Sequence, residues 1–335
     1  LTQIPEGTKW FSVLDLKDAF FCILPHPDFK YLFAFEDPSN QTTQLTWTVL
    51  PQDSETAPTC LGRHCPKTSL PEFLYPQVKV LQYADDSFLC APTEEISQES
   101  SKGLLNFLVN RGYKVSKPRA QLCQASAKHL GLVLSEGIGT LGEERIKPIS
   151  SFLLSKTLKQ LRGFLGITGF CRLWIPEYSK IACPLYHLIK ETQAANTHSL
   201  TWEPEAKRAF DQLKQALLEA PALSLPIGKT FNLYDQKGRE WLWSLNTGPR
   251  TSSIASGLLG KELDLVVKER LACLQTIATV VLLVPETSKL TLRNDLTVYT
   301  PCNVVGLLSS KGSLWLTHSS LLKYQVLLLE SSTIQ

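Results

Sequence analysis

Three carboxylates stand out by position. Asp15 lies near the end of a short apolar run, Phe11–Leu16 (FSVLDL). Asp85 and Asp86 sit side by side about 70 residues later, between Gln77–Tyr83 (QVKVLQY) and Ser87–Cys90 (SFLC). Hard oxygen donors of this kind suit Mg²⁺, which takes one or two carboxylates and completes its shell with waters and substrate phosphates. Two such ions roughly 3.5–4 Å apart clamp an in-line phosphoryl displacement, one lowering the pKa of an attacking hydroxyl and the other stabilising the leaving oxygen. Carboxylates held this close repel one another unless cations are bound. Taken by themselves, Asp15 also fits a strand-end turn, and Asp85-Asp86 an ordinary polar turn.

For the three to converge, the strand holding Asp15 must lie beside a hairpin with Asp85-Asp86 at its tip. Other elements follow from spacing. Tyr31–Glu36 and Gln44–Val49 alternate enough to be strands, separated by the turn-rich Asp37-Pro38-Ser39-Asn40. Thr93 can cap a helix running to about Arg111, with Gly112 as its stop and Leu104, Leu105 and Leu108 on its inner face. Leu130–Leu134 reads as a short strand. Thr157-Leu158-Lys159-Gln160 has capping-box spacing and opens a helix that must end by Pro176. Ala206, Ala209, Phe210, Leu213 and Leu217 fall at helical spacing between Pro204 and Pro221. Phe231–Tyr234, Leu290–Leu292 and Leu296–Tyr299 are further strand candidates. Ile277–Val284 is a buried strand or helix that ends at Pro285. Lys190–Ser199, polar and without large apolar side chains, reads as a linker.

At 335 residues, two or three domains are expected. A hydrophobic content of 43% fits a folded chain rather than a disordered one. No apolar run approaches the ~18–20 residues of a membrane helix. The opening LTQIPEGTKW has no basic and apolar leader, so an intracellular, non-secreted protein is expected. Nine cysteines, without a C-x-x-C pair, suggest reduced, mostly buried thiols. Cys60, His64 and Cys65 are close, but no second pair stands at zinc spacing. The absence of methionine suggests a processed product or a fragment. Charge is split: residues 1–100 carry 6 basic and 14 acidic side chains, residues 101–190 carry 14 and 4. Such a split fits a cation-holding site beside a polyanion-holding surface, or two solvated faces that differ by chance.

The flanking residues narrow this. Val13–Phe21 (VLDLKDAFF), Gln44–Thr48 (QLTWT) with Leu50-Pro51-Gln52, and Leu81–Asp86 (LQYADD) resemble the successive polymerase motifs of a retroviral reverse transcriptase. Gly163–Pro176 (GFLGITGFCRLWIP) resembles the thumb of the gammaretroviral type, and Leu321–Glu330 (LLKYQVLLLE) the end of that family's connection domain. In order and extent the chain is similar to the reverse transcriptase region of Pol from gammaretrovirus-like (class I) endogenous retroviruses, with the human H group as a candidate lineage.

The resemblance implies an α+β fold: a right-hand polymerase palm with partial fingers over residues 1–145 (fingers about 23–56), a helical thumb over 146–195, and an α/β RNase H-like connection domain over 199–335. It implies RNA-directed DNA polymerase activity, with Asp15, Asp85 and Asp86 as catalytic and metal-binding residues for two Mg²⁺ ions, or Mn²⁺ in their place. Asp18, Ala19, Phe20 and Gln52 would bind the incoming deoxynucleoside triphosphate, Phe20 sterically excluding a ribose 2′-hydroxyl. Leu130 and Gly131 would belong to the primer grip. Lys159, Arg162 and Arg172 would hold phosphates of an RNA or DNA template with its primer. The remaining partner would be the rest of the Pol polyprotein, with no membrane, in the cytoplasm or the virion. In the connection domain, Asp235 is followed by no ordered set of further carboxylates, so RNase H chemistry is not expected there.

Departures from the family pattern point to a defective frame. The amino-terminal half of the fingers is missing. Asp53–Ser69 and Arg239–Leu258 do not match, as after compensated frameshifts. Ala84 and Ser87 replace the usual residues around the two aspartates. The alternatives are a non-catalytic nucleic-acid-binding remnant and a translated relic without function.

Overall fold

The computed structural model describes residues 2–52, 75–195, 199–225, 230–235, 242–247, 255–260, 267, 271–292, 294–300, 302–315 and 318–329. These divide into two compact units, Gln3–Leu130 with Leu134–Gly137, and Leu1–Thr2 with Gly131–Val133 and Ile138–Gln335.

In the first unit, β1 (Trp10–Lys17) buries Phe11, Val13, Leu14 and Leu16. Apolar side chains on both faces are what a central strand needs, because each face must be covered. A hairpin, β2 (Ala34–Asp37) and β3 (Asn40–Thr46), follows. Its turn is set by the Asp37 carboxylate, which accepts from the Ser39 N–H at 2.8 Å and the Ser39 hydroxyl at 2.6 Å. These bonds hold the Asp37 carboxyl below its usual range. The hairpin of β4 (Lys79–Tyr83) and β5 (Asp86–Ala91) then pairs with β1 through β5. Thr93 caps α1 (Glu94–Asn110), accepting from the Ile96 N–H at 3.4 Å. Beyond it β6 (Lys114–Val115) and β7 (Gln121–Gln124) complete the sheet, in the order β4-β5-β1-β6 with β7 also on β1. Leu104 and Leu108 of α1 close the core over Leu14, Leu16 and Leu89.

A second core line in this unit is aromatic. Phe11 stacks on Phe88 at 5.5 Å, and Phe88 stacks on His129 of β8 (Ala127–His129) at 4.5 Å with the rings 3° apart. His129 is 8% exposed, and burial pushes its imidazole down to about 4. The unfolded chain therefore binds the proton first as pH falls. Stability is fully present above the ordinary histidine range and is lost between about 6.5 and about 4. A loss of up to about 3 kcal/mol is expected across that window. Urea unfolding from pH 7 to pH 4 should show it, and His129→Phe should flatten the dependence.

The next strands are β9 (Leu132–Ser135) and β10 (Ile138–Leu141). In the second unit they lead to α2 (Glu143–Ser150), α3 (Leu158–Phe170), α4 (Tyr178–Ala194) and α5 (Pro204–Leu218). The capping box of α3 forms as its spacing predicts, with Thr157 and Gln160 satisfying each other's backbone N–H groups. Phe164 of α3 lies 4.3 Å from Phe210 of α5, ring to ring. All five apolar positions expected on α5 are buried. After β11 (Leu223–Ser224), which pairs with β10, comes a sheet of β12 (Thr230–Asp235), β13 (Leu242–Asn246), β14 (Gly257–Gly260) and β15 (Asp295–Tyr299). Its order is β14-β13-β12-β15, with β12 and β15 parallel. The helix α6 (Ala272–Leu290) supplies the crossover, and α7 (Val304–Trp315) and α8 (His318–Leu329) follow.

The α+β class matches expectation, but several elements differ. Residues 31–33 belong to a 3-10 helix, Pro27–Phe33, opened by Pro27 and by His26 accepting from the Asp28 N–H, so β2 starts only at Ala34. Ile277–Val284 is helical, and α6 continues through Pro285. Burial of Leu274, Ile277, Val280, Val281 and Val284 on one apolar face outweighs the ~3 kcal/mol a mid-helix proline costs. Leu290–Leu292 is therefore the end of that helix and not a strand: Thr291 donates to the Thr287 carbonyl at 2.8 Å, and Leu292 turns left-handed at φ 54°. Lys190–Ala194, expected as linker, forms the last turns of α4, where buried Thr192 bonds the Leu188 carbonyl. Of the seven described cysteines only Cys90 and Cys171 are buried, and the other five are half-buried. Cys60, His64, Cys65 and the unmatched stretch from Asp53 to Ser69 lie outside the described residues. Among the described residues no helix is long and apolar enough to cross a membrane.

Candidate active site

The β1–β5 register places Asp15 directly opposite Asp86. Leu16 donates to the Asp85 carbonyl at 2.9 Å and extends that register to the hairpin tip, while Ser116, just after β6, donates to the Asp15 carbonyl at 2.8 Å from the other side of β1. Tyr83 pairs with Asp86, leaving Ala84 and Asp85 as the hairpin's two turn residues. Ala84 takes φ 51°, which costs a residue with a Cβ roughly 1–2 kcal/mol. The Gln82 side chain supports the turn by donating to the Ala84 carbonyl at 3.1 Å. The site thus stores backbone strain where its carboxylates meet.

Electrostatics agree with convergence. Burial raises the Asp86 carboxyl above its usual range, the charges of Asp85 and Asp15 raise it further, and only Arg119 opposes them. The Arg119 guanidinium stands 3.4 Å from the Asp15 carboxylate; Arg119 is 75% exposed and Asp15 14%. Sequence reasoning did not single out Arg119. The signal available was its place in the basic block, which did not specify a partner 104 residues away. Among the described residues, no group of three or more His, Cys, Asp or Glu side chains is arranged as a ready-made metal cage. The donor chemistry nonetheless fits a hard divalent cation: crowded carboxylates, one of them raised by its neighbours, are relieved by such a charge.

The neighbouring segment is built from short-range bonds. Asp18 adopts φ 55° and starts the 3-10 turn Ala19–Cys22, with Phe21 donating to its carbonyl at 3.0 Å. Leu50 donates to the Ile23 carbonyl at 2.9 Å, which brings Pro51 and exposed Gln52 alongside this turn. Ala19 and Phe20 are 1% and 9% exposed and pack with Ile23, Leu50 and Leu108. Phe21 is the open ring of the pair, stacked on Trp47 at 6.1 Å. Asp15, Asp85 and Asp86 are thus brought together, and Asp18, Ala19, Phe20 and Gln52 share one local assembly.

Of the remaining candidates, Leu130 ends the first unit, and Gly131, Lys159, Arg162 and Arg172 belong to the second. Leu130 and Gly131 form a left-handed pair, φ 51° and 75°. A Cβ at Gly131 would fall 1.8 Å from the Arg145 side chain, which would have to move, and the positive φ disfavours any residue but glycine. Arg145 in turn lies 3.9 Å over the Phe170 ring. Lys159 and Arg162 are exposed on α3. Arg172 is engaged by Glu286 at 3.6 Å.

Residues 2–134 match the family model for reverse transcriptase (RNA-dependent DNA polymerase). The chain is 40% identical over 337 residues to the Gag-Pol polyprotein of gibbon ape leukemia virus, covering 98% of this chain and 20% of that one. It is equally 40% identical over 344 residues to the Pol polyprotein of feline endogenous virus ECE1, covering 100% of this chain and 32% of the relative. It therefore spans about a fifth to a third of the curated relatives it matches. Among solved structures it resembles the foamy viral protease-reverse transcriptase in complex with double-stranded DNA, with a TM-score of 0.82 at 20% identity over 100% of this chain and 57% of that one. That likeness is one of fold. Residues 2–134 thus match the reverse transcriptase family, and the chain as a whole is similar to the reverse transcriptase region of gammaretroviral and endogenous retroviral Pol polyproteins.

Proposed function

We propose that this chain carries the RNA-directed DNA polymerase site of its Pol polyprotein, extending a primer 3′-hydroxyl on an RNA or DNA template with deoxynucleoside triphosphates. The observation that carries this reading is the β1–β5 register, which sets Asp15 opposite Asp86 at a strained hairpin tip. Asp15, Asp85 and Asp86 would hold two Mg²⁺ ions, or Mn²⁺. When bound, such ions activate the attacking hydroxyl and stabilise the leaving oxygen. Asp18 and Ala19 present backbone to the triphosphate, Phe20 lies under the sugar, and Gln52 orients the nucleotide. Leu130 and Gly131 hold the primer end. Lys159 and Arg162 contact template–primer phosphates, and Arg172 joins them where it leaves Glu286. Residues 1–145 act as palm and partial fingers, 146–195 as thumb and 199–335 as connection. A cytoplasmic or virion setting follows from this reading, and the human H-group lineage rests on the sequence motifs alone.

The unmatched Asp53–Ser69 stretch supports a weak site, because alignment errors of about 1 Å can cost ~10²-fold in rate. Primer extension on an RNA template with Mg²⁺ tests the assignment. Weak extension that Asp85→Asn removes is the expected result, and extension surviving Asp85→Asn would overturn it. If neither protein extends the primer, the chain is a binding remnant or a relic. Salt separates those two. Binding through phosphates should fall with salt, and Lys159→Ala with Arg162→Ala should reduce the log–log slope by about 2. Binding indifferent to salt, or none at all, would leave the relic.

A further inference from the structure

A groove in the second unit is lined by side chains that, Arg172 apart, the polymerase reading does not use. Its volume of about 530 Å³ falls within the roughly 300–1,000 Å³ of sites that take small molecules. Its long wall is α4. Ser179, Cys183, Tyr186, His187 and Lys190 all line the groove, and steps of three and four residues put them on one helical face. Leu258–Gly260 of β14 and Glu286 of α6 line it too. The Ser179 hydroxyl donates to the Gly260 carbonyl at 2.7 Å, which ties helix to strand at the groove. Tyr178, also in the lining, is held by α3: its hydroxyl donates to the Leu165 carbonyl at 3.4 Å.

The charges around this groove are unequal. Among the described residues of the lining, Arg172 and Lys190 are cations, His187 becomes a third when protonated, and Glu286 is the one carboxylate. Arg172 and Glu286 stand 3.6 Å apart, too far for a hydrogen bond, and the Arg172 side chain is 53% exposed. An incoming anion can therefore compete with Glu286 for the guanidinium, whose fork suits a phosphate. Lys190, His187 and Tyr186 are exposed as well. Several cations facing one space suit a dianion, and a phosphate monoester carries about −1.5 to −2 at pH 7. The tyrosine rings offer faces on which a planar ring can stack.

We propose that this groove binds a small aromatic phosphate monoester of about nucleotide size. The phosphate meets Lys190 and Arg172, and the ring lies among the tyrosines. Glu286 is the competing anion built into the site, holding Arg172 until a ligand displaces it. The site is independent of whether the carboxylates of β1 and β5 catalyse.

The test is calorimetric titration of the full chain with AMP in EDTA, so that no divalent cation supports a triphosphate site. The expected result is saturable binding with a Kd of about 1 mM or tighter. Adenosine alone and inorganic phosphate alone should each bind at least ~10-fold more weakly. Phenyl phosphate, titrated in parallel, tells a nucleotide from a bare aryl phosphate as the source of the ring, and saturable binding of either supports the proposal. Arg172→Ala and Lys190→Gln should each weaken binding about 10-fold, whereas Glu286→Gln should tighten it by removing the competitor. Lys159→Ala with Arg162→Ala, outside the lining, should leave it unchanged, which separates this groove from template–primer contacts. No saturable binding up to about 10 mM, phosphate binding as tightly as AMP, or weaker binding in Glu286→Gln would overturn the proposal. If Arg172→Ala lowers the melting temperature, the exposed Lys190→Gln variant decides, and unchanged affinity there would overturn it too.

Discussion

Asp86→Asn is expected to abolish primer extension while raising the melting temperature of the cation-free protein. On the proposed function, the loss would follow from removing a carboxylate that holds a metal ion at the reacting phosphate, an electrostatic contribution of several kcal/mol. That corresponds to at least ~10³-fold in rate. The gain in stability follows from the site's own repulsion. Burial and the charges of Asp85 and Asp15 raise the Asp86 carboxyl above its unfolded value. The folded chain therefore holds that proton longer, and its stability falls as pH rises through the carboxylate range. The Asn variant should show a flatter profile there. Scanning fluorimetry between pH 3 and pH 7 without divalent cations, beside a primer-extension assay, measures both effects. A variant that loses activity and stability together would mean that Asp86 is structural. The opposite signs express a trade between a strained, charged site and a quiet fold.

Phe164→Ala should destabilise the second unit by about 3–5 kcal/mol, the usual range for emptying a buried phenylalanine site. Phe164 is fully buried, with Phe210 at 4.3 Å and Phe152 at 5.5 Å. Trp202 meets Phe210 edge-on at 5.6 Å, so the ring joins α3 to α5 through a continuous aromatic cluster. A shifted urea midpoint with unchanged slope is the expected readout, and Phe164→Leu should cost less. Lys159 and Arg162 ride on the same helix, so the Ala variant should also weaken salt-sensitive nucleic-acid binding. The Lys159→Ala, Arg162→Ala pair should weaken binding without moving the midpoint.

The sequence was most legible where local chemistry and burial agree. Thr157 and Gln160 form their capping box, Thr93 caps α1, and the five apolar positions on α5 face inward. Asp15 and Asp86 come together because the buried apolar residues of β1 and β5 fix the register in which the two strands pair. Short apolar runs were harder. Leu290–Leu292 reads as strand in isolation, yet it closes a helix whose burial is set by a distant sheet. Pro285 misled for the same reason, since tertiary packing carries α6 through it. The Arg119–Asp15 pair was invisible because spacing carries no information about contacts across 104 residues. Phe20 and Phe21 are chemically identical in the sequence, and only the 3-10 turn decides that Phe21 is the exposed ring.

The pairing of β1 also has a consequence for how this chain is made. Its strand partners, β5, β6 and β7, all come later in the sequence, the first of them complete only at Ala91. At about 5–20 residues per second, β1 leaves the ribosome roughly 4–15 s before its first partner is available. Through that interval Phe11, Val13, Leu14 and Leu16 form an unpaired β-prone segment, open to chaperones or to the β1 of a neighbouring nascent chain. The long-range register that gathers the carboxylates thus leaves the strand carrying Asp15 exposed to aggregation during synthesis.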